Sequence, residues 1–279
     1  MLQRYVLTGF FQGWCGHQLP WMMQELGLDG LSGRNDPMMK PRAWFMTYGA
    51  DMTLCHLRLV AVNIDGVLLN DTFSPVIHRF IVSRGGRYTA EVERAVLSRP
   101  RLEAAAATGL EGTPEELARA YFRERDEYLQ EHPLGIQPGA ATLLAVLRDL
   151  GVRMVCYGGL DRSHFDAHLK AYTRLFDDPV YVCTDAVRPG IREITEDVFG
   201  LRCDQALFID DAASVAEAAQ ALGAAFIGCP TDYEHSFQEQ LMRRAGVRHV
   251  VRSLEAIDEG LLRTVDAESA AAVAAVGRC

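Results

Sequence analysis

From Leu57 the chain enters LRLVAVNIDGVLL, a compact β-branched apolar run that ends in Asp-Gly and reads as a buried strand. Beyond residue 133, helical and strand patterns alternate. PGAATLLAVLRDLG is followed by VRMVCY, SHFDAHLKAYTRLF by PVYVC, GIREITEDVFG by QALFID, and AASVAEAAQALG by AAFIG. EHSFQEQLMRRAG and RHVV come next, before SLEAIDEGLL. This order predicts an α/β fold, a doubly wound and mostly parallel sheet with crossover helices. Residues 74–132 interrupt it with a predominantly helical block, in which TAEVERAVLS and TPEELARAYFRERDEYLQ place apolar residues at helical spacing. Thr113-Pro114-Glu115-Glu116 is a helix start, with Pro at the first helical position and acids in the first turn.

The ends of the chain lack such patterning. Residues 1–56 are rich in Met, Trp, Gly and Pro, with turn signals at Gly30, Gly33, Asn35-Asp36-Pro37 and Pro41, and predict an irregular N-terminal extension with one short helix near Trp21–Leu26. The core domain is expected over 57–73 and 133–263, the helical insertion over 74–132, and a frayed Ala-rich tail over 264–279.

Composition narrows the functional classes. The 279 residues, 49% hydrophobic and 23% charged, suit a globular protein with a sizeable core. A formal charge of −9 without any Lys/Arg block argues against nucleic acid and anionic membranes as partners. No apolar run reaches the roughly 18 residues of a bilayer span. The N-terminal segment makes a poor signal peptide, so a cytoplasmic protein is expected. Seven cysteines are scattered without a disulfide-framework spacing. Only two of the 28 basic residues are lysines, Lys40 and Lys170, so Arg fills most positions where either cation would serve.

Candidate chemistry sits at strand ends, where an open α/β sheet places its ligands. Asn63-Ile64-Asp65-Gly66 closes the first strand and Asp210-Asp211 closes QALFI, and acids so placed suit Mg²⁺, a hard cation that prefers carboxylate oxygens. Over residues 57–263 the chain resembles the haloacid-dehalogenase-like (HAD) superfamily. Asn63-Ile64-Asp65-Gly66-Val67-Leu68 is similar to its opening Asp-x-Asp-Gly-Thr/Val-Leu motif, and Asp210-Asp211 in LFIDDAASVAEAAQALG to its closing acidic pair. IQPGAATLLAVLRDLGVRM resembles its Pro-Gly helix before the second strand, and Arg188-Pro189 its Lys-Pro motif.

The resemblance implies a Rossmannoid core whose inserted helical cap, here 74–132, closes a substrate pocket against the strand ends. It implies a first aspartate that attacks phosphorus, a second that acts as general acid and base, and Mg²⁺ offsetting the phosphoryl charge. In this chain the attacking position is Asn63, whose amide oxygen is a poor nucleophile and brings no charge to a metal. Asp65 matches the acid/base position, and Asn63, Asp65, Asp210 and Asp211 are the metal-ligand candidates for weak Mg²⁺ binding. The second-motif Ser/Thr position falls at Gly158, so the hydroxyl is absent, leaving the Gly158-Gly159 backbone and Arg188 to face an anion.

The function expected is that of a HAD-like protein that has lost phosphatase chemistry and acts as a binding or accessory component. Its partner would be a small anionic ligand, or a protein held through the N-terminal extension. The alternative is an active Mg²⁺-dependent hydrolase of a small phosphorylated or related metabolite, in which another residue or water attacks. A third reading, Asn63 as an engineered substrate trap, is disfavoured because Gly158 is an independent departure. Cys15-Gly16-His17 and Cys55-His56 lack zinc-site spacing. His132, His164 and His168 have no acidic partner at a fixed spacing and are expected as surface or satisfied histidines.

Overall fold

A strand whose neighbours cover both of its faces carries an unbroken apolar sequence, and LVAVN of β1 (Leu59–Asn63) is buried at every position. The computed structural model describes residues 53–276, all within one compact unit, Met52–Cys279. The helix expected near Trp21–Leu26, Cys15 and His17 lie outside the described residues.

Six parallel strands form one sheet in the order β3-β2-β1-β4-β5-β6. They are β1, β2 (Arg153–Gly158), β3 (Tyr181–Cys183), β4 (Ala206–Asp210), β5 (Ala225–Gly228) and β6 (His249–Val250). Alternation sorts their side chains into two layers. Val60, Val62, Met154, Cys156, Leu207 and Ile209 join Leu143, Leu144 and Leu147 of α5 (Ala140–Asp149) on one face. Leu59, Ala61, Val155, Tyr157 and Phe208 join α7 (Ala213–Ala221) and α8 (Gln238–Arg244) on the other. The direction of strand succession reverses beside β1, so the carboxyl ends of β1 and β4 diverge into the crevice where open α/β sheets bind ligands.

Between β1 and β2 the chain makes α1 (Phe73–Val82), α2 (Ala90–Leu97), α3 (Arg101–Ala107) and α4 (Pro114–Glu131). The Thr113 hydroxyl accepts the Glu116 N–H while the Glu116 carboxylate accepts that of Thr113, a capping box that starts α4 where the Thr-Pro-Glu-Glu pattern expects it. Ile77, Phe80, Ile81 and Leu117 give these helices a small core of their own. Among the described residues no helix is long and apolar enough to cross a membrane.

Three segments differ from their sequence patterns. SHFDAHLKAYTRLF is not one helix but α6 (Arg162–His168) followed by a 3₁₀ segment, Lys170–Leu175, and the break lets Phe165, Leu169 and Phe176 all enter the same apolar layer. GIREITEDVFG closes in a π-helical turn, Glu193–Val198, with the Phe199 N–H donating to Ile194 O. The Ala-rich tail expected to fray is instead the body of α9 (Glu259–Val276), because alanine is the strongest helix former and Val265 and Asp266 are buried against the core.

Asp266 also draws in residues assigned by composition to the extension. Its carboxylate accepts the backbone N–H groups of Cys55, His56 and Leu57 at 2.8, 2.9 and 2.7 Å, and Leu54 is buried beside them. Asp266→Ala strands three donors, one of them buried, and is expected to cost about 3 kcal/mol of unfolding free energy in urea denaturation.

Candidate functional site

Asn63 is the last residue of β1, buried, with its side chain aimed at the closing acidic pair. Its amide nitrogen donates to the Asp65 carbonyl oxygen at 2.8 Å and to Asp211 Oδ1 at 3.1 Å. The Asp65 carbonyl can only accept, so the nitrogen, and not the oxygen, must face it. The turn that makes this contact depends on Gly66, at φ +81°, where a Cβ would stand 2.1 Å from Asp211 Oδ2. The Asp211 carboxylate therefore lies directly over Gly66, and no side chain fits between them.

Asp210, 2% exposed, is held by two donors, the Tyr157 hydroxyl and the Ala212 N–H, the latter at 2.7 Å. Burial pushes its carboxyl above the usual range, against the opposing pull of these hydrogen bonds and of the Arg188 charge. Asp211 is raised well above that range by burial first, then by the charges of Asp210 and Asp71. Burial and Asp210 drive the Tyr157 phenol well up as well, so it remains a donor. Tyr157 carried no signal in the motif comparison. It stands opposite Asn63 in the β1–β2 register, which brings its side chain to the same end of the sheet.

Gly158 closes β2, and the space a side chain would occupy there is taken. A Cβ would meet Ile64 Cγ2 at 2.5 Å and the Tyr181 hydroxyl at 3.1 Å, with Asn63 Oδ1 at 3.7 Å. The Tyr181 hydroxyl is itself fixed, donating to Leu160 O at 2.7 Å. At Gly159 a Cβ would meet the Arg188 guanidinium carbon at 3.4 Å, so the cation lies against the glycine backbone. Arg188 makes no hydrogen bond or ion pair among the described residues.

His164 is a correction to the expectation of an unpartnered histidine. Its Nε2 lies 2.9 Å from Asp65 Oδ1 with both side chains nearly buried, and its ring packs edge-on against His168 at 5.0 Å. The usable signal was topological: α6 begins directly after the glycine turn, so its first turn sits at the end of β2.

Asn63, Asp65, Asp210, Asp211, Gly159 and Arg188 share one cavity of about 140 Å³, also lined by Asp71 and by the helices of the insertion. Gly158 stays behind it. Asp71 was not singled out in the sequence. Its Oδ1 accepts the N–H groups of Phe73 and Ser74 at the start of α1, and its Oδ2 is buried without a hydrogen-bond partner among the described residues.

No family model matches the chain, and no curated protein matches it. Solved structures do. A Bacteroides vulgatus protein designated a beta-phosphoglucomutase is 18% identical, with TM-score 0.57, over 78% of this chain and 91% of that one. A conserved haloacid dehalogenase-like protein of unknown function from Agrobacterium tumefaciens is 18% identical, with TM-score 0.51, over 71% of this chain and 95% of that one. An aspartate-to-asparagine mutant of CbbY from Rhodobacter sphaeroides, in complex with xylulose-(1,5)bisphosphate, is 17% identical, with TM-score 0.50, over 71% and 95%. The chain has the haloacid-dehalogenase-like fold.

The HAD fold implies Mg²⁺ at these strand ends, and the donor set was expected to be Asn63, Asp65, Asp210 and Asp211. Most of these oxygens are turned away from that role as arranged. The Asp65 carbonyl and Asp211 Oδ1 are turned onto the Asn63 amide, Asp210 onto Tyr157 and Ala212, and the Asp65 side chain onto His164. Among the described residues no group of three His, Cys, Asp or Glu side chains is placed to hold a metal.

The packing around Gly158 also makes restoring the second-motif hydroxyl costly. Gly158→Ser must displace Ile64 or Tyr181 and is expected to lower stability by roughly 1–3 kcal/mol in thermal or urea unfolding.

Proposed function

We propose that this protein binds a small anionic molecule between the helical insertion and the strand ends of its HAD-like fold, without phosphatase chemistry. The observation that carries this reading is the Asn63 amide, donated to both the Asp65 carbonyl and Asp211. A carboxylate in its place would set acceptor against acceptor in a partly buried site and would need a proton or a cation to stand between them. The amide supplies two positive hydrogens, so the cluster is satisfied without one.

The same exchange removes the nucleophile. An uncharged amide oxygen is a poor attacking group, and no aspartyl-phosphate can form on it. Arg188, against the Gly159 backbone and without an ion pair among the described residues, is the cation at the strand-end side of the cavity for an anionic head group. The bisphosphate complex of the aspartate-to-asparagine CbbY mutant supports the idea that this fold holds an anion with an aspartate exchanged for asparagine.

A second reading rests on His164 and Asp65. A histidine in hydrogen-bond contact with a carboxylate at the cavity could orient a water, which is the arrangement a hydrolase with a different attacking group would need. Asn63 favours binding over this alternative, because the attacking position carries an amide already engaged with Asp65 and Asp211.

A cytoplasmic location belongs to the same proposal. Cys55, Cys156, Cys183, Cys203 and Cys229 are free thiols, as in a reducing compartment. A protein partner held by the N-terminal extension would use residues outside those described.

The test is a panel of phosphate monoesters with Mg²⁺ supplied. Wild-type turnover is expected to be no greater than that of an Asp65→Ala, Asp210→Ala double variant. Turnover well above that variant would overturn the binding-protein reading and favour the hydrolase.

A further inference from the structure

The end of the cavity facing the strand ends is polar, but its other walls are hydrocarbon. Ile77 and Phe80 of α1, Leu97 of α2, and Leu117, Tyr121 and Phe122 of α4 converge there. The polar groups the insertion contributes are few. The Thr108 hydroxyl is spent on Ala105 O at 2.7 Å, and Arg99 and Arg101 are solvent-exposed. The Tyr121 hydroxyl is buried and has no partner among the described residues.

Such walls discriminate between ligand bodies. Against the helices a polyol would bring several hydroxyls out of water and find only the Tyr121 hydroxyl unpartnered among the described residues, and each hydroxyl left unpaired weakens binding. A hydrocarbon body loses nothing there and gains from leaving water. The volume of the whole cavity, about 140 Å³, suits a small ligand, since a cavity of roughly 150 Å³ accommodates benzene.

We propose that the ligand is a small amphipathic anion, with a ring-sized or branched apolar body against α1, α2 and α4 and one anionic head group on Arg188. The proposal rests on the cavity being the ligand site, and it names the class of molecule that site takes. Tyr121 offers the body one hydrogen bond, enough for a single ether, carbonyl or hydroxyl oxygen. Phosphate and carboxylate heads share the chemistry that Arg188 recognises, and the probes separate them.

The experiment is isothermal titration of the full chain with phenylphosphonate, hydrocinnamate, ribose phosphate, inorganic phosphate and benzyl alcohol. At least one of the two apolar anions is expected to bind about tenfold or more tighter than ribose phosphate, with inorganic phosphate and benzyl alcohol weaker still. The tighter of phenylphosphonate and hydrocinnamate identifies the head group. Arg188→Gln is expected to weaken that probe roughly tenfold. Ala104→Phe, which fills the cavity from α3, is expected to abolish the preference for an apolar body. Ribose phosphate binding as tightly as the apolar anions, or no binding by any probe, would overturn the proposal. These results come from the wild-type protein, so a variant that fails to fold does not rescue it. Catalytic turnover in the phosphate-ester panel would sink the non-phosphatase reading and leave this ranking to be judged separately.

Discussion

Two hydrogens on the Asn63 amide hold the strand ends together. They reach the Asp65 carbonyl and Asp211 Oδ1, two acceptors that the strand ends bring to one partly buried place. Burying unpaired anions costs far more than burying paired ones, so a cluster containing Asp65, Asp210 and Asp211 needs donors at every approach. Asn63, His164, Tyr157 and the Ala212 N–H supply them. Burial then raises Asp210 and Asp211, which shifts the cluster further toward its neutral forms.

Other features of the site follow from that arrangement. Asp211 can reach the amide only by lying over Gly66, where any side chain would collide with it. Ile64 and Tyr181 fill the space beside Gly158, so the missing second-motif hydroxyl is matched by packing and is not a hole waiting to be refilled. Arg188 acts on Asp210 through its charge but makes no hydrogen bond or ion pair among the described residues, and the cavity it lines opens onto apolar helices. The site is thus a connected set of departures, each accommodated by its neighbours.

The fold was legible because its signals are local. Alternating apolar strands and helices gave the parallel sheet, and the strand ends carrying Asn63, Asp65, Asp210 and Asp211 were visible as motifs, as was the Thr113 start of α4. The missed contacts are those that join distant parts of the chain. His164 and Asp65 are 99 residues apart, Tyr157 and Asp210 53 apart, and Asp266 and Leu57 209 apart. No periodicity within one segment encodes such pairs; sheet register and the packing of α9 do. The tail was misjudged for a related reason, since Ala-rich composition is equally that of a frayed end and of a good helix, and burial of Val265 and Asp266 decides between them.

The most direct test of the Asn63 account is isothermal titration of the wild-type chain with Mg²⁺ at neutral pH. Because hydrogen bonds already occupy the Asp65 carbonyl, Asp65 Oδ1, Asp211 Oδ1 and both Asp210 oxygens, no saturable heat is expected up to millimolar concentrations, roughly the range of weak divalent-cation sites. Saturable binding that disappears in Asp211→Ala would show that the cluster does hold a cation beside Asn63, and would contradict the account.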